Sequence, residues 1–311
     1  MRTAIIINPA SGRAAHRRGT GRDRLELARR VAATCVPDAT IVLTDGPGHA
    51  TALAQKLVAD GTARVVAWGG DGTINEVAGP LLGTGVALGI VPGGSGDGTA
   101  GSLGLIRPPG AALEWALTAV PGHIDVGWLG DRHFLNVAGI GFDAEVAAAF
   151  NRQHRRGLLG YLRVGLPLCW TYAPDRYRLS LAGETLDGKM MLIGIANGRQ
   201  YGNGLVLAPG ASLQDGRLDI VVVRATRPIR LLWQARLLLF PTDRSTPGVD
   251  RRQTDALSIS GARLVCHVDG ESFEVTGAIN VRVQPAALRI AGAAAASRAA
   301  GGPPATSGDR Q

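Results

Sequence analysis

Three glycine-rich segments each follow a short run of apolar residues. They are Asn8-Pro9-Ala10-Ser11-Gly12, Gly69-Gly70-Asp71-Gly72-Thr73 and Pro92-Gly93-Gly94-Ser95-Gly96-Asp97-Gly98. Glycine allows backbone N–H groups to approach a phosphate closely, and a helix that begins after such a loop adds a favourable dipole. A single loop of this kind is common in proteins. Three of them after successive strands predict a phosphate-binding edge.

Asp71 is the one acidic side chain in the second loop, and its chemistry has two interpretations. It could cap a helix locally, or it could hold Mg²⁺ or a substrate hydroxyl, which the phosphate-loop context favours. Thr73 and Glu76 have the spacing of a capping box, which gives them a structural role. Neither lysine of the chain, Lys56 or Lys189, follows a glycine loop. Backbone amides, Mg²⁺ and arginine must therefore neutralise the phosphate charge.

The first third of the chain alternates apolar runs with amphipathic helical patterns. The predicted strands cover residues 4–7, 41–43, 64–68 and 86–91, and the predicted helices cover 23–36, 49–60 and 74–82. This alternation is typical of crossover units in a mostly parallel sheet. Ligands bind such sheets beyond the carboxyl ends of the strands, which is where all three glycine loops should lie.

From about residue 122 the pattern changes to strands separated by Gly/Asp turns. Strands are predicted over 133–137, 189–196, 217–223, 262–268 and 279–283, with helices over 157–172 and 228–240. The last residues are rich in Ala, Gly, Pro and Ser, a composition typical of disorder. We therefore predict an α/β domain over 1–121, a β-rich domain over 122–290 and a disordered tail over 291–311.

The composition excludes several classes of protein. The 311 residues are 45% hydrophobic and 19% charged, so the chain is too apolar to be disordered. Its formal net charge is +8, and most of this charge comes from arginines within residues 1–30. These arginines could form a solvated helix face, or a patch that faces an anionic membrane or nucleotide phosphates, and the solvated face is the favoured interpretation. Aromatic residues make up 5%, which argues against nucleic acid as a partner. Three scattered cysteines and no secretory leader predict a cytoplasmic location.

The segment from Gly69 to Glu76 resembles the nucleotide signature of the diacylglycerol kinase catalytic-domain family, which includes bacterial diacylglycerol kinases and the sphingosine and ceramide kinases. The tetrapeptide Gly-Gly-Asp-Gly alone is shared with NAD kinases and phosphofructokinases, so it identifies only the superfamily. The residues that follow, Ile74-Asn75-Glu76, narrow the resemblance to the diacylglycerol kinase catalytic-domain family. Other segments similar to the family follow in order at 8–12, 44–50, 92–96, 134–144, 197–204, 208–219 and 268–271.

The resemblance implies an α/β domain of the NAD kinase/phosphofructokinase type, with a mostly parallel sheet, followed by a β-rich, sandwich-like domain. It implies an ATP site at Asn8, Pro9, Ala10, Ser11, Gly12, Thr44, Gly69, Gly70, Asp71, Gly72, Thr73, Ile74, Asn75, Gly94 and Ser95. It implies Glu271 or Asp269 as the catalytic base, and Asp125 beside Asp71 in an acidic network. It also implies a structural Mg²⁺ at Ser212, Asp215 and Arg217, where the outer two contribute backbone carbonyls.

Two features of the sequence compete with these implications. Asp215-Gly216 and Asp269-Gly270 are ordinary hairpin-turn dipeptides, and residue chemistry alone favours the turn interpretation for both. Relatives usually carry Asn where this chain has Asp97, and many carry Asp where it has Gly98. A carboxylate at position 97 would repel phosphate unless a cation offsets it.

The function that the resemblance implies is that of an ATP- and Mg²⁺-dependent lipid kinase, with diacylglycerol as the first candidate acceptor. A sphingosine- or ceramide-type kinase, an NAD kinase and a non-catalytic lipid- or nucleotide-binding protein are the alternatives. The acyl chains are expected against residues 157–172, with transient contact to an anionic inner-membrane surface. The sequence leaves the oligomeric state open, a homodimer included.

Overall fold

The computed structural model describes residues 1–12, 20–105, 107–151, 158–202, 204–224 and 247–293. The helix predicted over 228–240 lies outside these residues. The first half contains β1 (Thr3–Ile7), α1 (Thr20–Cys35), β2 (Thr40–Leu43), α2 (His49–Ala59), β3 (Arg64–Gly69), α3 (Asp71–Leu81), β4 (Ala87–Pro92), α4 (Gly98–Ser102) and α5 (Pro109–Thr118). The second half contains β5 (Pro121–Leu129), β6 (Arg132–Phe134), β7 (Val137–Gly141), α6 (Phe142–Asn151), α7 (Leu158–Thr171), β8 (Asp175–Leu181), β9 (Glu184–Ala196), β10 (Gln200–Gly202), β11 (Leu205–Val206), β12 (Leu218–Arg224), β13 (Val249–Thr254), β14 (Ala256–Val268) and β15 (Glu271–Ala291).

The first four strands pair in parallel in the order β2-β1-β3-β4. Helices cover both faces of this sheet, and its central strands β1 and β3 are therefore buried along their whole length, as is usual for parallel sheets. Helices α2 and α3 pack on one face, and α1 and α5 pack on the other. Because the strands run in one direction, the glycine loops that follow β1, β3 and β4 meet at the same edge, as predicted.

The second half is built on two long antiparallel strands that change neighbours along their length. Strand β9 pairs first with β8 and then with β7, and β14 does the same. The strands β5 to β9, β12, β14 and β15 all contribute to one apolar core, so the sheet must fold back over itself. This is the β-rich, sandwich-like part that the sequence predicted.

Strand β15 connects the two halves of the molecule. It pairs with β14 and β5 in antiparallel fashion, and then its last residues pair in parallel with β4, through Arg289 and Ile290. Leu288 and Ile290 are buried in the core of the first half. A boundary at residue 121 therefore does not separate the two cores.

The tail predicted over 291–311 is wrong at its first three residues. Ala291 and Ala293 are buried, and the amide of Gly292 donates a hydrogen bond to the carbonyl of Val120. Residues 294–311 lie outside the described part of the chain.

Two other sequence predictions differ from the structure. The strand predicted over 133–137 is interrupted at Leu135 and Asn136, because their amides donate to the side chain of Asp269 instead of to a neighbouring strand. Helix α3 begins at Asp71, three residues before the predicted start, and the Asp71 carboxylate contacts α4. Within the described ranges, no helix combines the length and the apolar character that crossing a membrane requires.

Candidate active site

A cavity of about 610 Å³ lies between the glycine-loop edge of the parallel sheet and the second half of the chain. Of the predicted site residues, those that line it are Asn8, Pro9, Ala10, Ser11, Gly12, Thr44, Gly70, Asp71, Gly72, Thr73, Gly94, Ser95, Asp269 and Glu271. The second half adds a wall that the sequence did not assign, made of Asn136, Val137, Ala147, Phe150, Tyr201, Gly202, Leu205, His267 and Gly270. One side of the cavity is thus rich in backbone amides, and the other includes apolar side chains.

The second and third glycine loops pack backbone against backbone. A Cβ atom built on Gly94 would lie only 2.6 Å from the Cα atom of Gly70, which is closer than real Cβ atoms approach other atoms. Glycine is therefore required by the close approach of the two loops. The result is a narrow floor with exposed peptide groups, the kind of surface that accommodates phosphates.

Thr73 and Glu76 do not form the predicted capping box, because α3 starts before them. The hydroxyl of Thr73 instead accepts a hydrogen bond of 2.8 Å from the Asn8 side chain, which joins the first loop to α3. The Glu76 carboxylate accepts a hydrogen bond of 3.1 Å from the amide of Gly48, at the start of α2. Both side chains hold neighbouring segments around the cavity.

Arg24, on α1, holds the first and third loops together. Its guanidinium donates to the Asn8 carbonyl at 2.6 Å, to the Ser11 hydroxyl at 2.7 Å and to the Gly93 carbonyl at 3.4 Å. Burial lowers the pKa of Arg24, and the negative charge of Asp97 opposes that change. Arg24 is thus the cation that offsets the unusual carboxylate at position 97.

Asp97 turns back onto its own loop. It has a left-handed backbone with φ of 47°, and its carboxylate accepts a hydrogen bond of 2.8 Å from the amide of Gly94. Burial raises the pKa of Asp97, and the charge of Asp71 raises it further. Position 98 has no room for a side chain, because a Cβ on Gly98 would lie 2.6 Å from the carbonyl oxygen of Tyr201.

Asp71 lies at the cavity floor and accepts two hydrogen bonds of 3.0 Å, from the amides of Gly98 and Thr99. It therefore caps the start of α4 while also lining the cavity. Burial raises the pKa of Asp71; the two amides oppose this rise and the negative charge of Asp269 adds to it. A carboxylate in this situation gains from a nearby cation.

Asp269 and Gly270 form the two-residue loop of the β14–β15 hairpin, with φ of 46° and 92°. Positive φ at both positions is what a tight hairpin of this kind requires, so the turn interpretation is confirmed. The carboxylate of Asp269 also accepts four hydrogen bonds. Its donors, at 2.8–3.0 Å, are the Asn75 side chain and the amides of Leu135, Asn136 and Val137. These four donors occupy both oxygens, which leaves little room for a hydrogen bond from the hydroxyl of a ligand.

Glu271 follows this loop and extends toward the cavity. Its side chain is exposed, and a Cβ built on Gly72 would lie 3.6 Å from its Oε1 atom. The carboxylate thus sits beside the first turn of α3. Within the described part of the chain, its side chain makes no hydrogen bond or ion pair. It is the carboxylate of the hairpin that is available to a ligand.

Several predicted site residues do not line the cavity. Gly69, Ile74 and Asn75 are not among the residues that line it. Asp125 is buried, and its two carboxylate oxygens accept hydrogen bonds from the amides of Gly216 and Ala286, at 2.7 and 2.8 Å. The structure therefore does not bring Asp125 to the cavity. Its catalytic role stays a prediction, without a direct contact to support it.

The predicted magnesium ligands Ser212, Asp215 and Arg217 lie together in the loop before β12. The Asp215 carboxylate is exposed and accepts a hydrogen bond of 3.0 Å from the amide of Arg217. Burial raises the pKa of nearby Asp219, and the negative charge of Asp215 raises it further. Carboxylate and carbonyl oxygens are the donors Mg²⁺ prefers, so the donor chemistry fits. The described residues contain no group of three His, Cys, Asp or Glu side chains that could hold a metal.

Comparison with known proteins accounts for both halves of the chain. The diacylglycerol kinase catalytic domain matches residues 2–129, and the YegS C-terminal NAD kinase beta sandwich-like domain matches residues 136–292. A probable lipid kinase YegS-like of Pseudomonas putida is 34% identical over 254 residues, which cover 78% of this chain and 81% of the relative. The chain belongs to the diacylglycerol kinase catalytic-domain family.

Other members of this family are similar to the chain. A diacylglycerol kinase of Mycobacterium tuberculosis is 30% identical over 264 residues, covering 80% of this chain and 84% of the relative. A probable lipid kinase YegS-like of Chromohalobacter salexigens is 39% identical over 193 residues, but the match spans only 62% of that relative and 60% of this chain. The crystal structure of a putative diacylglycerol kinase from Bacillus anthracis has the same fold, with a TM-score of 0.77 at 22% identity, over 93% of this chain and 96% of the other. The predicted family and fold class are confirmed.

Proposed function

We propose that the protein is an ATP-dependent lipid kinase that transfers the γ-phosphoryl group to a lipid hydroxyl, with diacylglycerol as the first candidate acceptor. The observation that carries the proposal is the cavity that Glu271 lines together with residues of the three glycine loops. A phosphate-binding edge and an available carboxylate in one cavity are the two parts that phosphoryl transfer to a hydroxyl requires.

The glycine-loop side would bind the triphosphate through backbone amides. The first turn of α3 lines the cavity, its first amides have no partner within the helix, and the positive end of the helix dipole lies there. ATP supplies the phosphoryl group, and the Mg²⁺ that accompanies it neutralises negative charge. Asn8 and Arg24 hold the loops at the spacing that this binding needs.

Glu271 is the base in this proposal, in preference to Asp269. As the acceptor oxygen bonds to the phosphorus atom, its O–H bond breaks, and Glu271 takes the proton while ADP leaves. Asp269 is occupied by four N–H donors and is a positioning residue for the hairpin. The proposal thus takes Glu271 from the two candidates, Glu271 and Asp269, that the sequence left open.

The acceptor side would receive the lipid. Ala147 and Phe150 of α6 form part of the cavity wall, and α6 packs against α7. On α7, Leu166 and Trp170 are 45% and 62% exposed and lie four residues apart, on one face of the helix. Tryptophan favours membrane interfaces, so α7 would contact the anionic membrane from which the lipid comes.

The decisive experiment measures transfer. Purified protein with Mg-ATP and mixed micelles of diacylglycerol is expected to form labelled phosphatidic acid. Glu271→Gln should reduce kcat by about 100-fold or more, as expected for loss of a general base. Glu274→Gln is the matched control, because Glu274 lies on the same strand and pairs with exposed Arg263; its activity should stay within about twofold of the parent.

The outcomes of a parallel acceptor screen separate the alternatives. Transfer to sphingosine or ceramide in place of diacylglycerol would keep the lipid-kinase proposal and change the acceptor. Transfer to NAD without any lipid would overturn it in favour of an NAD kinase. Binding of ATP with no transfer to any of these acceptors would favour a non-catalytic binding protein.

The structural magnesium site and the membrane contact have separate tests. Mg²⁺ without nucleotide should raise the Tm of the parent but not the Tm of Asp215→Ala. An equal rise in the Tm of both proteins would show that Asp215 is not a ligand.

Trp170→Ser should weaken binding to anionic vesicles several-fold, whereas Val120→Ser, at a residue 75% exposed outside α7, should not. Equal binding by both variants would contradict a role for α7.

A further inference from the structure

The β14–β15 hairpin carries Glu271 and is called the catalytic hairpin below. A buried polar cluster lies behind it, and the proposed function does not use this cluster. Asp143 in the first turn of α6 and His267 on β14 are only 5% and 4% exposed. The Nε2 atom of His267 is 3.1 Å from the Oδ2 atom of Asp143, and the hydroxyl of Tyr201 donates to the same oxygen at 3.0 Å. The rings of His267 and Tyr201 also line the cavity. The three side chains come from distant parts of the chain and meet at the cavity wall.

The hydrogen bonds around His267 assign its two ring nitrogens. The amide of Gly270 donates to Nδ1 at 3.4 Å, so Nδ1 carries the lone pair. The proton of the neutral ring is then on Nε2 and is donated to Asp143. The other oxygen of Asp143 accepts from the amide of Ala144 at 2.8 Å. Asp143 therefore fixes both the orientation and the tautomer of His267, as a carboxylate does for a histidine in many functional sites.

This arrangement holds the catalytic hairpin from a second side. Asp269 is fixed by Asn75 and by the amides of residues 135–137, whereas the next residue, Gly270, is fixed by His267. Glu271 follows directly and makes no side-chain hydrogen bond to the described residues. The direction of its carboxylate thus depends on the backbone of the two preceding residues.

We propose that His267, oriented by Asp143, is a positioning residue that sets the direction of Glu271 through the amide of Gly270. The inference rests on the proposed function, because it takes Glu271 as the base. Tight positioning of a base relative to the substrate hydroxyl contributes to kcat, and a displacement of about 1 Å can cost about 100-fold in rate. Loss of His267 should therefore reduce kcat more than it changes KM.

A purely structural role makes a different prediction, since the two ring nitrogens serve different purposes. The Nε2 proton satisfies the buried Asp143 carboxylate, and this contact governs stability. The Nδ1 lone pair holds Gly270, and this contact governs the direction of Glu271. Asn and Gln separate the two functions, because the Asn side chain can put an amide oxygen near the Nδ1 position, and the longer Gln side chain can put an amide N–H near the Nε2 position.

The kinetic test compares His267→Asn with His267→Gln in the full chain. We expect His267→Asn to retain kcat within about threefold of the parent, and His267→Gln to lose about tenfold or more, with KM values for ATP and lipid unchanged in both. The order of stability should be the reverse, with His267→Gln the more resistant to urea. If kcat follows stability, or if both variants turn over like the parent, the positioning role is wrong.

A second measurement does not depend on kinase activity. In protein labelled with ¹⁵N-histidine, the ring nitrogens of His267, identified by their absence in His267→Gln, should report a proton on Nε2 and none on Nδ1. A neutral ring protonated on Nδ1 would overturn the proposal even in an active enzyme. If the parent shows the expected tautomer but transfers phosphate to no acceptor, the proposed function fails while the contact between His267 and Gly270 stands.

Discussion

The side chain of Asn75 donates a hydrogen bond of 2.8 Å to the carboxylate of Asp269, which lies 194 residues further along the chain. This contact joins α3, on the glycine-loop side of the cavity, to the hairpin that carries Glu271. It fixes the distance between the second glycine loop and Glu271.

Asn75→Ala should therefore affect both stability and turnover. The change removes one of four donors to a partly buried carboxylate, which should cost about 1–3 kcal/mol of unfolding free energy. It should also lower kcat at least several-fold, because the hairpin is then held only from its own half. Urea unfolding and steady-state kinetics measure the two effects. Asn280→Ala, at an exposed position of β15, is the control, and an equal loss there would contradict the assignment.

Gly94→Ala should impair nucleotide binding. The new Cβ would lie 2.6 Å from the Cα atom of Gly70, so the second and third loops must separate. Overpacking of this kind costs about 1–3 kcal/mol, which corresponds to a rise of about 5- to 150-fold in the Kd for Mg-ATP if the strain falls on the bound form. Calorimetry measures the Kd. Gly210→Ala, where a Cβ meets no atom within 4 Å, should bind Mg-ATP as the parent does.

Asp97→Asn should stabilise the protein at neutral pH. Burial raises the pKa of Asp97 above its ordinary value of 3.8, so the folded protein takes up this proton at a higher pH than the unfolded chain does. The ionised carboxylate thus reduces stability above the raised pKa, and this cost disappears as the pH falls toward 3.8. Asparagine keeps the oxygen that accepts from Gly94 and removes the charge.

The measurement for Asp97→Asn is the Tm of parent and variant between pH 4 and pH 8. The gain should be largest at pH 8 and should shrink steadily toward pH 4. Glu26→Gln, at an exposed position of α1, controls for the loss of one negative charge. A gain that grows as the pH falls would show that the direction of the pKa change is wrong.

Asp125→Asn distinguishes a catalytic role from a structural one. Both oxygens of Asp125 accept amide N–H groups, from Gly216 and Ala286, and an asparagine would turn a donor toward one of them. We expect a loss of about 1–3 kcal/mol in unfolding free energy. Turnover per folded molecule, measured well below the Tm, should stay within about threefold of the parent. A loss of kcat by 100-fold or more in fully folded protein would restore Asp125 to the catalytic set.

The parts that the sequence predicted well depend on local pattern. The strands and helices of the first 92 residues have strong periodicity, and parallel strands necessarily bring the loops at their ends to one edge. The interruption at residues 135–136 and the full length of β15 could not be predicted from local pattern. The interruption depends on the Asp269 carboxylate, which binds amides far away in the chain, and the length of β15 depends on a change of neighbouring strand near Ala286.

The cluster behind the hairpin was missed for the same reason. Asp143 and His267 are 124 residues apart, and each alone has an ordinary position on a helix or strand. Only one signal was available in the sequence, which is that His267 lies near the end of a predicted strand, two residues before Asp269. That signal does not identify Asp143 as its partner.

The course of β15 also affects how the protein is made. The outer edge of β4 is covered by Arg289 and Ile290, which are synthesised about 200 residues later. During translation, the first half of the chain would therefore expose an unpaired, apolar strand edge until these residues leave the ribosome. Unpaired edges favour association with other chains. Aggregation of nascent chains should thus be most sensitive to events late in synthesis, even though the glycine loops are made first.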